Sequence, residues 1–135
     1  AMRGEKLPVY GDGKNVRDWL HVDDHCAAID IILRHGADGE VYNVGGHNER
    51  SNIDVVRTIL ALLGRGEEQI SFVVDRKGHD RRYAIDPTKI GRELGWHPVM
   101  CFDEGIQRTI TWYQDHEAWW ADILSGAYEK RNAAE

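Results

Sequence analysis

Four short strand patterns separated by helical stripes are the feature that most constrains the fold. Apolar alternation predicts strands at residues 7–10, 16–22, 41–44 and 70–74, and apolar residues at helical spacing predict about four helices. The predicted order is β-β-α-β-α-β-α-α, which is typical of part of an α/β sheet protein and not of a closed bundle or barrel. Because the strands are few and short, we do not expect them to form a self-sufficient sheet.

Each predicted helix has one apolar stripe, which we take as its core face, and three of the four end at a glycine. Ser51 or Asn52 can cap the second helix, and Asp86 is expected as N-cap of the third, with Pro87 at its first helical position. The last helix is predicted to be one long element with a wide aromatic core face. The stripes are Val22, Cys26, Ile29 and Leu33; Ile53, Val56, Leu60 and Leu63; Ile90 and Leu94; and Phe102, Ile106, Ile110, Tyr113 and Trp120.

Composition bounds the function classes. The 135 residues are enough for one domain, so residues 1–135 are treated as a single unit with a frayed tail from about residue 129. A net charge of -6 argues against DNA or RNA as the main partner. No apolar run is long enough to span a bilayer and no signal peptide is evident, so neither a membrane nor secretion is expected, and the cytoplasm is the simplest location. Cys26 and Cys101 are expected to be reduced core residues.

Residues 75–86 form a basic loop in this acidic chain. Five of these twelve residues are Arg, Lys or His, and the loop lies between a predicted strand and a predicted helix. In open α/β sheets the carboxyl ends of the strands are where ligands bind, and arginine can hold a phosphate with two parallel hydrogen bonds. Gly78 would let the backbone approach an anion. The loop is therefore predicted to be a phosphate clamp; the alternative is a solvated loop in which Asp75 and Asp80 neutralise their neighbours.

The sequence lacks the motifs of several catalytic, cofactor and metal sites. Tyr10 and Lys14 have the spacing of a dehydrogenase Tyr-x-x-x-Lys pair, but the glycines between them predict a turn and not a helix. No G-x-G-x-x-G sequence is present, so a dinucleotide site cannot be built from this chain. His21 and His25 lack the further ligands that a zinc site needs. What remains is a set of ring faces, cations and one amide suited to a nucleotide or nucleotide sugar: Tyr10, Trp19, Arg17, Arg76, Lys77, His79 and Asn52.

Four stretches together resemble the dTDP-glucose 4,6-dehydratases, a family of extended short-chain dehydrogenase/reductases. The last of the four is the most specific to nucleoside-diphosphate-hexose dehydratases. They are Leu-Pro-Val-Tyr-Gly-Asp-Gly (7–13), Val-Arg-Asp-Trp-Leu-His-Val-Asp-Asp-His (16–25), Tyr-Asn-Val-Gly-Gly-His-Asn-Glu (42–49) and Gly-His-Asp-Arg-Arg-Tyr-Ala-Ile-Asp (78–86).

The resemblance runs over residues 7–128 and implies the carboxy-terminal, substrate-binding portion of such an enzyme. The NAD-binding Rossmann core and the catalytic residues would then lie in a missing amino-terminal half, with no catalytic, cofactor or metal residue here. The intact enzyme would use bound NAD to convert dTDP-glucose to dTDP-4-keto-6-deoxyglucose in deoxysugar biosynthesis, as a homodimer. The 135 residues alone would be inactive.

The resemblance also implies substrate contacts. By position, Pro8, Val9 and Tyr10 match a strand at the thymine end, and Arg17 and Asn52 match residues near the diphosphate. Residues 75–79 match the loop that closes over the nucleotide, in which Lys77 stands where proline is common. These loop residues and one further match near the site are Asp75, Arg76, Lys77, Gly78, His79 and Tyr128.

The sequence is also compatible with two alternatives. One is a related enzyme acting on another nucleotide sugar: a UDP-sugar decarboxylase, an epimerase or a GDP-mannose dehydratase. The other is an independent nucleotide-sugar-binding module with no catalytic partner.

Overall fold

Two small sheets and five helices make up the part of the chain that the computed structural model describes, which is residues 1–126 without the side chain of Asp122. A single 3-10 turn, Glu67–Gln69, precedes the fourth strand. The strands are β1 (Leu7–Tyr10), β2 (Val16–Asp18), β3 (Glu49–Ser51) and β4 (Ile70–Val73). The helices are α1 (Val22–His35), α2 (Asn52–Leu62), α3 (Thr88–Leu94), α4 (Phe102–Asp115) and α5 (Glu117–Leu124).

The strands pair two by two. β1 and β4 are parallel, with Tyr10 opposite Val73 at their carboxyl ends, and β2 pairs antiparallel with β3. Two-stranded sheets bury little surface, which is why neither sheet could stand without the helices around it. The predicted α/β class is thus confirmed at the level of mixed short strands and helices, and the predicted strand at residues 7–10 is confirmed at both ends.

The interior is built where α1 and α3 meet. Ala28 of α1 and Ile90 of α3 are fully buried, and Trp96 packs against both. A buried carboxylate joins α1 to the segment that follows α3, because Asp24 of α1 accepts hydrogen bonds from the backbone N–H groups of Val99 and Met100, at 3.1 and 3.0 Å. Asp24 thereby fixes the segment that leads into α4.

A second carboxylate joins two of the sequence stretches. The side chain of Asp18, at the end of β2, accepts hydrogen bonds from Gly46 N and Asn48 N at 2.8 and 2.9 Å. A Cβ atom on Gly45 would lie 2.7 Å from Asp18 Oδ2. Glycine at this position is therefore a packing requirement, and it links the Arg-Asp-Trp stretch to the Tyr-Asn-Val-Gly-Gly stretch.

The strand predicted at residues 41–44 is wrong. These residues are irregular, and the third strand is instead Glu49–Ser51. A strand needs a neighbour to satisfy its backbone groups, and no described strand pairs with this segment. Tyr42 and Val44 pack against the α1–α3 core, while Val41 is exposed.

The second strand ends at Asp18 and not at Val22, because Val22 is the first residue of α1. The predicted inward stripe of α1 is also wrong: Val22, Ile29 and Leu33 are 62, 53 and 82% exposed. The face that packs inward carries Asp24 and Ala28. Both cysteines predicted to be in the core are exposed.

The predicted single last helix is broken. α4 ends at Asp115 and α5 begins at Glu117, with His116 between them at φ -118° and ψ 41°, outside helical geometry. Its aromatic face is not core, since Trp112, Tyr113 and Trp119 are 40, 44 and 58% exposed. The tail predicted to fray from residue 129 lies outside the described residues.

The predicted helix ends hold in most places. Ser51 caps α2 by accepting from Asp54 N, and Gly95 ends α3 in the left-handed region at φ 70°. The N-cap of α3 is Pro87, one residue later than predicted. Asp86 nevertheless accepts a hydrogen bond from Thr88 N at 2.9 Å, so its carboxylate still satisfies a free N–H group at the start of α3. None of the helices within residues 1–126 has the length and apolarity needed to cross a bilayer.

Candidate functional site

Parallel pairing brings Tyr10 and the basic loop to the same sheet edge. Tyr10 ends β1 opposite Val73, near the end of β4, and Gly11 N donates to Val73 O at 2.9 Å. Both strands end at one edge because they run in the same direction, so the residues that follow them are neighbours. A ligand contacting Tyr10 would therefore lie beside the loop that begins at Asp75.

Within the loop, the His79 ring lies between a carboxylate and a guanidinium. Its Nδ1 is 2.6 Å from Asp75 Oδ1, and its Nε2 is 3.1 Å from Nη2 of Arg76. Since an arginine only donates, Nε2 accepts and the ring proton lies on Nδ1, where it is donated to Asp75. The hydrogen bond from His79 lowers the pKa of the Asp75 carboxyl below its ordinary value.

Tyr10 closes this cluster from the β1 side. The Arg76 guanidinium carbon is 5.0 Å from the centroid of the Tyr10 ring, and the His79 ring meets Tyr10 edge-on at 6.2 Å. The four residues Tyr10, Asp75, Arg76 and His79 form what we name the loop cluster. It holds one guanidinium and one imidazole at the carboxyl ends of β1 and β4.

Arg17 is fixed by three contacts. Its Nη1 donates to Val16 O at 2.7 Å and its Nη2 to Asp80 O at 3.1 Å. The guanidinium carbon lies 4.2 Å from the centroid of the Tyr83 ring. The Tyr83 hydroxyl donates to the Asp80 carboxylate, and this hydrogen bond raises the pKa of the phenol.

Arg17 and the loop cluster adjoin each other. Asp80, whose carbonyl accepts from Arg17, follows directly on His79 of the cluster. The charges of both Arg17 and Arg76 act on the Tyr83 phenol and oppose the rise of its pKa. Arg17 contacts Asp80 and Tyr83, and Arg76 contacts His79, so two cationic side chains from separate stretches of sequence contact neighbouring residues of one loop.

Asn52 reaches this region through Asn15. Asn52 N, at the start of α2, donates to Asn15 O at 2.9 Å, and Asn15 Nδ2 donates to Asp80 O at 3.1 Å. The Asp80 carbonyl is thus shared by Asn15 and Arg17. Asn15 is 2% exposed, and its Oδ1 has no hydrogen-bond partner among the described residues.

An ion pair ties the basic loop to the β1–β2 turn. Arg81 donates to both oxygens of Asp12, with Nη1–Oδ1 at 2.8 Å and Nη2–Oδ2 at 3.2 Å. This pairing and the hydrogen bond from Lys14 N lower the pKa of Asp12 from 3.8 to about 2. The bidentate geometry fixes the loop against a turn nearly seventy residues earlier in the sequence.

The remaining predicted site residues are placed differently. Pro8 is exposed on β1, whereas Val9 is 4% exposed, so only the backbone of Val9 could reach a ligand. Lys77 is exposed. Gly78 has φ 70°, and a Cβ there would meet nothing within 4 Å, so this glycine provides turn conformation. Tyr128 lies outside the described residues.

An aromatic cavity of about 710 Å³ lies elsewhere. It is lined by residues of the β2–α1 connection, α4 and α5, among them Trp19, Phe102 and Trp112, and by none from residues 75–86. Trp19, predicted to offer a face for a base, therefore belongs to this cavity and not to the loop cluster. Its Nε1 donates to Arg50 O at 3.4 Å.

Sequence reasoning missed three participants. The sequence presents Tyr83 as part of a motif and Asp80 as a neutralising charge, and nothing in it singles out Asn15. A tyrosine three residues after an aspartate, beside a basic cluster, is the signal that could have indicated the contact with Arg17.

Comparison with known proteins identifies relatives of this arrangement. The sequence model of the family described as GDP-mannose 4,6 dehydratase matches residues 1–109. A dTDP-glucose 4,6-dehydratase of Xanthomonas campestris is 53% identical over 137 residues, covering 95% of this chain and 39% of the relative. The chain therefore spans about two-fifths of the length of the curated relatives it matches.

Solved structures agree with this relationship. A dTDP-glucose 4,6-dehydratase of Bacillus anthracis in complex with NAD has a TM-score of 0.85 and 52% identity, covering 90% of this chain and 39% of that chain. A UDP-glucose 4-epimerase of Thermotoga maritima, solved with UDP-glucose, has a TM-score of 0.78 and 30% identity. The similarity covers 84% of this chain and 36% of the epimerase chain. The sequence resemblance to the dTDP-glucose 4,6-dehydratases is thereby confirmed.

Proposed function

The chain belongs to the GDP-mannose 4,6 dehydratase family, and from this we propose that it forms the nucleotide-sugar-binding part of a dTDP-glucose 4,6-dehydratase. The proposed reaction converts dTDP-glucose to dTDP-4-keto-6-deoxyglucose. One observation carries the proposal: Arg17 and Arg76, far apart in sequence, contact neighbouring residues of one loop, Arg17 at Asp80 and Tyr83 and Arg76 at His79.

The side chains around residues 79–83 and at the adjoining sheet edge suit a nucleoside diphosphate. A diphosphate is recognised by guanidinium groups, and a base is recognised by a ring face or strand edge next to them. Arg17 uses two of its N–H groups on backbone carbonyls, which leaves others of the five that a guanidinium carries for a ligand. Tyr10 adds a half-exposed ring at the same sheet edge.

The bound cofactor of the relatives does not fit the described residues. A pyrophosphate in such enzymes is held by a glycine-rich turn between a strand and a helix. In residues 1–126, β1 and β2 are joined by a turn that leads to a strand, and β4 leads into the basic loop. We therefore assign no NAD contact to residues 1–126, and we propose that the chemical steps use residues outside the described part of the chain.

The exposed stripe of α1 is proposed to pack against the remainder of such an enzyme. The chain spans 39% of the relatives' length, and the stripe carries Val22, Cys26, Ile29 and Leu33. An apolar stripe of this length on a helix is costly to leave in water. A homodimer, as the sequence resemblance implies, stays a prediction.

Titration calorimetry of the natural polypeptide that carries this sequence tests the assignment. We expect dTDP to bind more tightly than UDP or GDP, and thymidine to bind much more weakly than dTDP. Stronger binding of UDP would favour a UDP-sugar enzyme, such as the epimerase with which this chain shares 30% identity. Absence of binding by all three diphosphates would contradict the proposed function.

A further inference from the structure

We propose that Tyr83 is a positioning residue for Arg17: its ring face holds the guanidinium in the orientation needed to bind the diphosphate of the substrate. The inference rests on the proposed function and assigns to Tyr83 a role that the sequence did not reveal. The ligand chemistry concerned is a diphosphate ester with a nucleoside on one side.

The geometry is that of a cation held on a ring face. The Arg17 guanidinium carbon lies 4.2 Å from the ring centroid, well within the range of about 6 Å at which a ring quadrupole attracts a cation. A guanidinium has five N–H donors, and the two backbone carbonyls that accept from Arg17 use Nη1 and Nη2 once each. The ring therefore restricts the orientation of Arg17 while the remaining donors stay available for oxygen atoms.

Tyr83 is itself held by two hydrogen bonds, one from its backbone and one from its hydroxyl. The backbone N–H of Tyr83 donates to Val16 O at 3.0 Å, the same carbonyl that accepts from Arg17 Nη1 at 2.7 Å. At the other end, the Tyr83 hydroxyl donates to the Asp80 carboxylate. The carbonyl of Asp80 also accepts from Arg17. The two residues that hydrogen-bond to Tyr83, Val16 and Asp80, are therefore the same two whose carbonyls bind the guanidinium.

A positioned arginine binds better than a mobile one. A free arginine side chain loses rotational freedom on binding, at a cost of up to about 2 kcal/mol for the whole side chain. Tyr83 is half exposed, at 50%, so its ring contributes little to the interior, and one of its faces is in contact with Arg17. Its effect should therefore appear in ligand affinity more than in stability.

Binding of dTDP and of thymidine to variants of the natural polypeptide tests this role. We expect Tyr83→Leu to weaken dTDP binding about three- to tenfold, the range for loss of one exposed cation–ring contact with some desolvation, and to leave thymidine binding unchanged. Tyr83→Phe and Tyr83→Trp, which keep a ring face, should restore most of the dTDP affinity. In an Arg17→Ala background, Tyr83→Leu should cause no further loss.

Tyr113→Leu is the matched control, because Tyr113 is similarly exposed, at 44%, on α4, and lines the aromatic cavity, to which no residue from 75–86 contributes. Circular dichroism melting checks folding, and Tyr83→Gln replaces the leucine variant if that one fails to fold. Equal weakening of dTDP and thymidine, or unchanged dTDP binding in Tyr83→Leu, would overturn the inference while leaving the proposed function intact. Absence of dTDP binding by the unsubstituted protein would instead overturn the proposed function and the inference with it.

Discussion

The carboxylate of Asp75 holds His79, with Oδ1 of the aspartate 2.6 Å from Nδ1 of the imidazole. The side chain of His79 is only 6% exposed although the loop around it is open to solvent. An Asp–His pair of this kind fixes which ring nitrogen carries the proton. Here it leaves Nε2 to accept from Arg76, so that one acidic residue orients both a histidine and an arginine.

We predict that Asp75 affects ligand affinity in two opposing ways. Its negative charge repels a diphosphate, whereas its hydrogen bond orients His79. Asp75→Asn removes the charge and keeps an acceptor, so dTDP should bind to it as well as to the unsubstituted protein, or better. Asp75→Ala removes both, and we expect it to bind dTDP about three- to tenfold more weakly than Asp75→Asn, the equivalent of one hydrogen bond. Calorimetry on the two variants measures this difference, and equal affinities would show that the hydrogen bond to His79 has no orienting role.

The ion pair between Asp12 and Arg81 should make stability depend on pH in acid. The pKa of Asp12 is lowered from 3.8 to about 2, so the pair stabilises the folded state above about pH 4, and this contribution is lost as the pH falls through about 2. We expect the urea midpoint of Asp12→Asn to lie below that of the unsubstituted protein at pH 5, and the gap to narrow at pH 2.

A double-mutant cycle with Arg81→Ala separates the pair from general acid effects. If the pair is the cause, the double variant should lose no more stability at pH 5 than either single variant does. A gap that stays constant from pH 5 to pH 2 would contradict the ionic origin.

The buried carboxylate of Asp24 should contribute more to folding stability than the exposed carboxylate beside it in the sequence. It is 4% exposed and accepts the N–H groups of Val99 and Met100. Asp24→Ala would remove the partner that both part-buried N–H groups have in this carboxylate, and we expect a loss of about 1–3 kcal/mol in the free energy of unfolding. Its neighbour Asp23 is exposed, and Asp23→Ala should cost less than about 0.5 kcal/mol. Urea unfolding of the two variants checks this, and equal losses would refute the special role of Asp24.

Both thiols of the 135-residue chain should react with a disulfide reagent without denaturant. Cys26 and Cys101 are exposed, and neither is in a disulfide. We expect two thiols to be labelled per chain, and one in each of Cys26→Ser and Cys101→Ser. If the rest of a longer enzyme covers the α1 stripe, labelling of Cys26 should be much slower in that enzyme. Rapid labelling of Cys26 there would contradict the proposed packing of α1.

Local signals in the sequence predicted local structure well. The strand at residues 7–10, the glycine that ends α3 and the serine that caps α2 all depend on residues next to each other in the chain. Signals that depend on a partner segment failed. Residues 41–44 have strand character, but no described strand lies beside them, and the apolar stripe of α1 faces outward.

The site shows the same division. The basic loop was recognisable because its charges are consecutive, and its place after β4 follows from strand order. The contacts that fix Arg17 were not recognisable, since they involve a carbonyl at residue 80 and a ring at residue 83, and backbone acceptors have no sequence signature. Trp19 was misplaced because alternation along β2 does not continue beyond Asp18.

The most direct test of a shared diphosphate site is a double-mutant cycle between Arg17 and Arg76, with dTDP and thymidine as ligands of the natural polypeptide. We predict that Arg17→Ala and Arg76→Ala each weaken dTDP binding by about 1–3 kcal/mol, as expected for a charged hydrogen bond, while thymidine affinity is unchanged. Their combined effect should differ from the sum by at least about 0.5 kcal/mol, because both side chains would contact one ligand group. Arg108→Ala, on α4 and paired with Glu104, is the control and should change neither affinity. Unchanged dTDP binding in either arginine variant, or equal losses for dTDP and thymidine, would contradict the account.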